Sequence, residues 1–383
     1  MILVKNNKVK NVDRIGLDIG SHSIKMVQLE RRRGEIFLLK WGKKDIPANV
    51  INRGIVDNPV QLGQLISCLF KNNGVENPGV VAAVPCQQVF IRHLYLPPMP
   101  DEEISEAIRY QVQSLLPIPA GEAVMDYMIP RRTRKCSEKK YIEALVVAAR
   151  RPVVEALQAG IKGAGAVLQT LEIEPLALYR MSLFSLNQKS ALPNRRRWLS
   201  TSLISILKKL RSSIIAEYGL DKYDFRKMNQ KIFIGTDFIP QKLRKATDSR
   251  SGVLLINANQ SMVKFSLFEG EILRFNRNVQ LSTENVLANG ITKELSAEAW
   301  RSLEYYQLEY PYSQVERILL TGDGIRKADL TVLAEQLAIP TVRLDPLMGI
   351  KVDQSVSREE LEEIRLGYGV ALGLAVRGTF SFV

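Results

Sequence analysis

The sequence predicts an α/β fold of two duplicated lobes, and three observations support this prediction. The chain has 383 residues, which is more than a single compact hydrophobic core usually holds. A strand–turn–strand–turn–strand pattern at 14–40 recurs at 252–279. Each copy is followed by alternating helical and strand-like segments, which is typical of α/β folds.

The first half begins with the strands IGLDIG, SIKMVQLE and EIFLLKW. Apolar residues at helical spacing over 57–72 then predict a helix that Asn73-Gly74 ends. The strands VVAAVP and VFIRHLYLP lead to a helix after Pro100, with Asp101 as its predicted N-cap. The strands DYMI and YIEALVVAA, a helix over 152–164, the strand VLQTLEI and the helix EPLALYRMSLF complete this half.

The second half repeats the opening pattern with GVLLINA, SMVKFSLFE and EILRFNRNV. A helix over 292–307, the strand RILLTGDG, the helix DLTVLAEQL, the strand TVRLDP and one final helix over 358–377 follow. SIKMVQLE aligns with SMVKFSLF, and EIFLLKW aligns with EILRFNR. Ligands of open α/β sheets bind at the carboxyl ends of strands, so we expect a ligand cleft where the two halves meet.

The positive charge of the chain is concentrated in one segment. The net charge is +13, yet residues 187–250 contain 15 Lys or Arg against 5 Asp or Glu, which leaves 38 basic and 35 acidic residues elsewhere. The basic character therefore belongs to a local feature, and it does not by itself indicate a nucleic-acid-binding fold.

The composition excludes several classes of protein. No apolar stretch reaches the length of a membrane-spanning helix, and the first residues do not resemble a signal peptide. Three widely spaced cysteines suit reduced thiols, and two histidines argue against a zinc or iron–sulfur site. We therefore expect a cytoplasmic protein.

Residues 14–25, RIGLDIGSHSIK, have the chemistry of a phosphate-binding turn. Glycine and small hydroxyl residues allow backbone N–H groups to approach a phosphate. Lys25 offers a positive charge, and Asp18 could order water around Mg²⁺. The same residues also fit an ordinary hairpin turn with an exposed serine, and both interpretations stay open at this point.

Several stretches together resemble the PilM family of type IV pilus assembly proteins. They are LDIGSHSIKMVQL, AAVPCQQVFIRHLYLPPMPDEEISEAIRYQVQSLLPIP, LEIEPLALYR, RILLTGDGI and LGYGVALGLAVRG. The resemblance covers most of 12–186 and 251–378, and the second stretch is its most specific part because sugar kinases and chaperone ATPases lack it. This family is similar to the cell-division protein FtsA, so the resemblance implies an actin-like ATPase fold with an inserted FtsA-like 1C subdomain.

The resemblance also implies a domain scheme. Its parts are a first lobe at 12–85 and 150–186, a 1C subdomain at 86–149, a basic insertion at 187–250, and a second lobe at 251–378 whose last helix returns to the first lobe.

The resemblance further implies that ATP and Mg²⁺ bind between the lobes. The nucleotide would contact Asp18, Gly20, Ser21, His22, Ser23 and Lys25, with Mg²⁺ held through water at Asp18, and the adenosine would lie beside Gly322, Asp323 and Gly324. Glu174, in the EIEP turn, is the catalytic candidate, and the alternative is an acid that the helix dipole favours at a helix start.

The partner that the resemblance implies is the N-terminal peptide of the inner-membrane protein PilN, bound in a groove beside 1C. Candidate contact residues are Phe90, Arg92, Tyr95, Arg109 and Tyr110, whereas His93 is interpreted as a surface strand residue. Other proteins of the pilus inner-membrane complex, cytoplasmic motors and a homo-oligomer are further implied partners. A location on the cytoplasmic side, peripheral to the inner membrane, follows.

The second phosphate turn departs from the family pattern, which carries an acid and glycines. It reads INANQS, and two registers are open: Ile256 and Ala258 replace Asp18 and Gly20, or a one-residue slip places Asn257 at the acid position. Either register removes a carboxylate that could anchor Mg²⁺, and metal-supported positioning provides much of phosphoryl-transfer catalysis. We therefore expect hydrolysis to be weak or absent, with an active ATPase as the alternative.

The basic insertion has apolar residues at helical spacing (Leu199, Leu203, Ile206, Leu210 and Ile214) with lysine and arginine largely off that stripe. Three roles are open for it: docking on the protein itself or on a partner, contact of 190–216 with an anionic membrane, and nucleic-acid binding. The last is the least favoured, because few aromatic residues are available for base stacking. KIFIGTDFIP is predicted to add a strand or a small hairpin.

Overall fold

The computed structural model describes residues 4–5, 14–130, 141–187, 251–259, 262–280, 291–311, 313–324 and 330–379. The strands are β1 (Val4–Lys5), β2 (Arg14–Ile19), β3 (Ser23–Arg32), β4 (Glu35–Asp45), β5 (Ile51–Asn52), β6 (Ile55–Val56), β7 (Gly79–Val84), β8 (Val89–Leu96), β9 (Ala123–Met128), β10 (Ile142–Arg150), β11 (Val167–Ile173), β12 (Ser251–Ala258), β13 (Met262–Glu269), β14 (Ile272–Gln280), β15 (Gln314–Thr321), β16 (Thr341–Arg343) and β17 (Ile350–Lys351). The helices are α1 (Pro59–Asn72), α2 (Asp101–Gln113), α3 (Arg151–Gly163), α4 (Glu174–Asn187), α5 (Ile291–Glu309), α6 (Leu330–Leu337), α7 (Arg358–Gly367) and α8 (Gly369–Thr379).

The described residues form two compact units: unit 1 from 1–188 and 345–383, and unit 2 from 189–344. Unit 1 contains a seven-stranded sheet in the order β1-β11-β7-β2-β3-β4-β17. Strands β2, β3 and β4 form an antiparallel meander, β7 pairs in parallel with β2, and β11 pairs in parallel with β7. The run GVVAAV of β7 is buried along its whole length, as expected for a central parallel strand.

Helices cover both faces of this sheet. One face packs against α4, α7 and α8 through a core that includes Val27, Leu38, Met181 and Leu372. On the other side, α1 and α3 pack against each other and Gly42 of β4 lies against α1. Helix α8 lies close to β2, since a Cβ atom on Gly16 would stand 2.0 Å from the carbonyl oxygen of Ala371.

A three-stranded antiparallel sheet in the order β8-β10-β9 lies between β7 and α3 in the sequence. Helix α2 packs on one face of it, and Ile104, Ile108 and Val112 join Leu94 and Leu96 in a common core. This subdomain is the counterpart of the predicted 1C insertion.

Unit 2 contains a five-stranded sheet in the order β14-β13-β12-β15-β16. Strands β12, β13 and β14 form an antiparallel meander, and β15 and β16 add in parallel. This is the order of β4-β3-β2-β7-β11 in unit 1, with the same strand directions. The predicted duplication of an α/β unit is therefore confirmed.

Two local predictions are wrong. Asp101 lies inside the first turn of α2 and Pro100 is the N-cap, so the Asp101 carboxylate joins Glu102 and Glu103 where the helix dipole favours negative charge. The predicted single helix over 358–377 is divided into α7 and α8 at Tyr368, which lies between two glycines that helices tolerate poorly.

Within the described ranges, none of the helices combines the length and the apolar composition that crossing a bilayer requires.

Candidate functional site

The first predicted phosphate turn lies at the carboxyl end of β2. It closes with a backbone hydrogen bond of 3.0 Å from the N–H of Gly20 to the oxygen of Ser23, and Ile46 N–H donates to the oxygen of His22 at 2.8 Å. Asp18, Gly20, Ser21 and Ser23 are half-buried and His22 is exposed. The predicted residues of this turn are thus adjacent, and the turn is braced by the end of β4.

Lys25 faces Asp18 across the β2–β3 pair. Its ammonium donates a hydrogen bond of 2.8 Å to the carbonyl oxygen of Gly367 and lies 5.7 Å from the centre of the Tyr368 ring. Burial raises the pKa of Tyr368, so the ring stays neutral. Lys25 thereby stabilises the carboxyl end of α7, where the helix dipole favours a cation.

The strand register identifies the second turn residue by residue. In the β12–β13 pair Asn257 faces Lys264 and Ala258 faces Val263, as Asp18 faces Lys25 and Ile19 faces Ile24 in β2–β3. The second turn closes with a 2.9 Å hydrogen bond from Asn259 N–H to the oxygen of Met262, and it has the same length as the first.

Asn257 therefore stands at the acid position and Asn259 at the glycine position. The register that places Ile256 at the acid position and Ala258 at the glycine position is therefore wrong. Ile256 belongs to the apolar core of unit 2.

The glycine loop after β15 packs against the end of β12. A Cβ atom on Gly322, whose φ is +111°, would lie 2.1 Å from the carbonyl oxygen of Ala258 and 2.8 Å from Oδ1 of Asn257, and one on Gly324 would lie 2.9 Å from the same carbonyl oxygen. Only glycine permits this approach. Between the two glycines, Oδ1 of Asp323 is buried without a hydrogen-bond partner among the described residues.

The two turns differ in how they suit ATP and Mg²⁺. The first offers a glycine, hydroxyl groups, a lysine and one carboxylate, which fits a phosphate and one water-mediated contact to Mg²⁺. The second offers the amide of Asn257 where a carboxylate would anchor the metal water. The residues present therefore fit a nucleotide phosphate better than a fully anchored metal.

Glu174 begins α4 and is 4% exposed. Its position at a helix start agrees with the interpretation as a dipole-favoured acid, and a catalytic role stays a prediction. The neighbouring Glu172 was missed by sequence reasoning. Its carboxylate is buried and accepts hydrogen bonds from Arg180 at 2.7 and 2.8 Å and from Arg377 of α8.

The predicted partner-binding residues divide between the sheet and helix α2 of the 1C counterpart. Phe90 packs against the α2 core. The Arg92 guanidinium donates to the oxygens of Leu115 and Ile91, and burial lowers its pKa. Tyr95 makes an edge-to-face contact with Tyr141 at 5.3 Å. These three side chains are thus partly engaged within the subdomain.

Arg109 and Tyr110 are exposed on α2, and 79% of the surface of Tyr110 is accessible to solvent. An aromatic side chain with so much free surface is suited to contact a partner. His93 is half-buried, with Nδ1 3.9 Å from a carboxylate oxygen of Glu143, so its interpretation as a surface residue is not supported.

The sequence analysis also did not identify Lys264 as the counterpart of Lys25, although its spacing from Asn257 indicates it. It follows Asn257 by seven positions, as Lys25 follows Asp18. The basic insertion at 187–250, including 190–216 and KIFIGTDFIP, lies outside the described residues except for Asn187.

Comparison with known proteins connects this fold to a family. The profile described as "Type IV pilus assembly protein PilM" matches residues 16–216 and 252–379. A solved "PilM-PilN type IV pilus biogenesis complex" contains a chain that is 21% identical, with a TM-score of 0.69, covering 97% of this chain and 100% of that one.

Two more distant structures also align. A Bacteroides thetaiotaomicron protein with an actin-like ATPase fold is 8% identical over 94% of this chain and 95% of its own, with a TM-score of 0.44. The cytoplasmic domain of EpsL from the type II secretion system of Vibrio cholerae is 8% identical over 96% of this chain and 94% of its own, with a TM-score of 0.41.

The family profile spans most of both units, whose sheets repeat one strand order. The chain belongs to the PilM family of type IV pilus assembly proteins.

Proposed function

We propose that this protein is an actin-like adapter of type IV pilus assembly that binds the N-terminal peptide of a PilN-type inner-membrane protein. The family match over 16–216 and 252–379 carries the proposal, together with the similarity in fold to a chain from a PilM–PilN complex. In this role the protein lies on the cytoplasmic side of the inner membrane through its partner. Other inner-membrane complex proteins, cytoplasmic motors and further copies of this chain are its additional proposed partners.

The proposed peptide surface is on the 1C counterpart. Exposed Arg109 and Tyr110 provide a cation and an aromatic face that the α2 core does not use. Such residues are enriched among those that dominate binding energy at interfaces. Phe90, Arg92 and Tyr95 complete the proposed surface from the neighbouring strand.

A peptide-binding experiment tests this surface. A synthetic PilN N-terminal peptide is titrated into the full chain and into the variants Arg109→Glu and Tyr110→Ala, with Glu155→Gln, an exposed residue of α3, as a control. We expect each α2 variant to weaken binding by about tenfold or more, with the control unchanged. Absence of peptide binding to the wild-type chain would contradict the adapter proposal, and full binding by both variants would contradict this location.

We also propose that the chain binds ATP at the first turn and hydrolyses it slowly or not at all. The observation that supports slow turnover is the amide of Asn257 at the position equivalent to Asp18. The alternative, an active ATPase that drives rearrangement of the pilus complex, predicts steady phosphate release that requires Mg²⁺. Calorimetric titration with ATP, combined with an assay of phosphate release, distinguishes the two.

A further inference from the structure

Lys25 contacts the α7–α8 junction, which consists of Gly367 and Tyr368. Gly367 ends α7, and Tyr368 is the residue before α8 begins. The Lys25 ammonium donates a hydrogen bond of 2.8 Å to the Gly367 carbonyl oxygen and lies 5.7 Å from the centre of the Tyr368 ring. Lys25 follows by two positions the residue Ser23, whose oxygen closes the first turn. The junction therefore holds the side chain that stands next to the proposed phosphate turn, and all of these residues belong to unit 1.

The contacts of Lys25 leave hydrogen-bonding capacity for a ligand. Among the described residues, the Gly367 carbonyl is the one acceptor within hydrogen-bond distance of the half-buried ammonium. An ammonium group has three N–H donors, so two of the three remain. Charge-assisted hydrogen bonds from lysine to phosphate oxygens are among the strong ones in proteins. The lysine can thus bind a phosphate while it keeps its contact with the junction.

The glycine at position 367 allows the ammonium to reach the carbonyl oxygen. A Cβ atom on Gly367 would stand 3.1 Å from Nζ of Lys25 and 3.8 Å from its Cε. Within the described part of the chain, no other group lies within 4 Å of that Cβ. Alanine is also a better helix former than glycine. We therefore expect Gly367→Ala to displace the ammonium without disturbing α7.

The ring of Tyr368 is fixed by its surroundings. Tyr368 is 2% exposed and belongs to the core that includes Val27 and Leu372. Its N–H donates to the Ile364 oxygen at 3.1 Å, and its own oxygen accepts from the Leu372 N–H at 2.8 Å. Both helices therefore determine where the ring lies. A long side chain that is already ordered by a fixed ring and a fixed carbonyl loses less conformational entropy when it binds a ligand.

We propose that Gly367 and Tyr368 are positioning residues for Lys25, which hold its ammonium where it binds a nucleotide phosphate at the first turn. This inference rests on the proposed binding of ATP, and it names residues outside the turn that determine the affinity. Coupling between two sites is reciprocal. A phosphate bound by Lys25 should therefore stabilise the α7–α8 junction in return.

Calorimetric titration of the full chain and its variants with ATP in Mg²⁺ tests the positioning role. Lys25→Met should weaken binding by about tenfold or more, since a hydrogen bond to a charged group contributes that much. Tyr368→Leu should weaken binding by about threefold, which corresponds to the loss of one cation–π contact. Gly367→Ala should cause a similar loss because its methyl group displaces the ammonium. Tyr368→Phe, which keeps the ring, should restore nearly the wild-type affinity.

A double-mutant cycle separates positioning from a general effect on the fold. In the Lys25→Met background, Gly367→Ala and Tyr368→Leu should each change the affinity by less than about twofold, because the side chain that they position is absent. Gly163→Ala is the matched control, since its added Cβ on α3 meets its nearest atom only at 4.0 Å, and it should bind as wild type does. Thermal unfolding verifies that each variant is folded. Should Tyr368→Leu fail to fold, the cycle with Gly367→Ala decides.

Hydrogen exchange measures the reciprocal effect. ATP should slow exchange of the Tyr368 and Leu372 amides in the wild-type chain, because their hydrogen bonds lie at the junction that the bound lysine stabilises. The same amides should show no such protection in Lys25→Met. Faster exchange at the junction on addition of ATP would mean that the ammonium leaves the Gly367 carbonyl, which would overturn the inference.

The titrations distinguish failure of this inference from failure of the proposed function. No binding of ATP to the wild-type chain would overturn both. Binding that Lys25→Met does not weaken would overturn the inference and leave ATP binding intact. The same conclusion would follow if Gly367→Ala weakened binding equally with and without Lys25. Losses that depend on Lys25, together with protection of the junction by ATP, would establish the positioning role.

Discussion

Asn257 faces Lys264 across β12 and β13 at the register where Asp18 faces Lys25 across β2 and β3. The two hairpins therefore retain the same geometry, although one has a carboxylate and the other an amide at the equivalent position. Backbone pairing is determined by strand pattern and turn length, whereas metal anchoring depends on a single side chain. The shared geometry therefore does not require the acid at this position.

Restoring the carboxylate should increase ATP turnover. We expect Asn257→Asp to release phosphate faster than the wild-type chain in the presence of Mg²⁺, since a second anchor for the metal water would improve positioning of the reacting groups. A steady-state phosphate assay measures this, with the exposed Asn52→Asp as control. Fast wild-type turnover would contradict the proposal of a weak site.

Gly20→Ala should weaken ATP binding more than it affects stability. The added Cβ would lie 3.2 Å from the oxygen of Ser23, which is tight but tolerable, while its methyl group would hinder approach of a phosphate to the turn. We expect an affinity loss of about tenfold, measured by calorimetry. Gly121→Ala, where an added Cβ meets no atom within 4 Å, is the control, and equal affinities of the two variants would argue that the turn does not bind phosphate.

Glu172 should make the stability of unit 1 depend on acid pH. Burial alone would raise the pKa of Glu172, but Arg180 and Arg377 together outweigh burial and lower it. Because the folded-state pKa is below the unfolded value, the stabilisation is present at neutral pH. It is lost as the pH falls below the ordinary carboxyl range, about 4.3.

The test of this linkage is thermal unfolding between pH 7 and pH 3. Glu172→Gln leaves two arginines without their carboxylate, so it should lower the unfolding free energy at neutral pH by about 3 kcal/mol or more. It should also flatten the acid dependence. The exposed Glu155→Gln should reproduce the wild-type curve, and an unchanged acid dependence in Glu172→Gln would assign that dependence to other groups.

Gly373→Ala should disrupt the packing of α8. An added Cβ would lie 2.0 Å from the backbone oxygen of Ala177 in α4, and neither backbone can withdraw without moving its helix. We expect a loss of at least about 3 kcal/mol of unfolding free energy, measured by urea denaturation with Gly121→Ala as control. Wild-type stability of Gly373→Ala would show that the two helices separate easily.

The sequence was sufficient to predict the order of the secondary-structure elements and the duplication of the α/β unit, because alternating apolar residues and glycine turns are local signals. The apolar face of α2 at Ile104, Ile108 and Val112 was likewise predictable from helical spacing. The equivalence of Asn257 with Asp18 was not predictable from the sequence. A one-residue slip in the alignment changes no local signal, and only the strand pairing decides between the two registers.

Long-range contacts could not be predicted from the sequence either. The bond from Lys25 to Gly367 joins residues 342 positions apart, and nothing near either residue indicates the other. Arg377 and Glu172 are separated by 205 positions and present the same difficulty. The break at Tyr368 was missed because the apolar period continues through both helices, and the flanking glycines were interpreted as part of one helix.

Unit 1 is discontinuous in the chain, since β17, α7 and α8 come from 345–383 and follow all of unit 2. Helix α8 covers the backbone of Gly16 and joins the core around Val27 and Leu372. During synthesis on the ribosome, the part of this apolar sheet face that α7 and α8 cover therefore stays exposed until the last residues emerge. A nascent chain that stalls within unit 2 would expose apolar surface of an incompletely packed unit 1. We therefore expect chaperones to bind the chain during this interval.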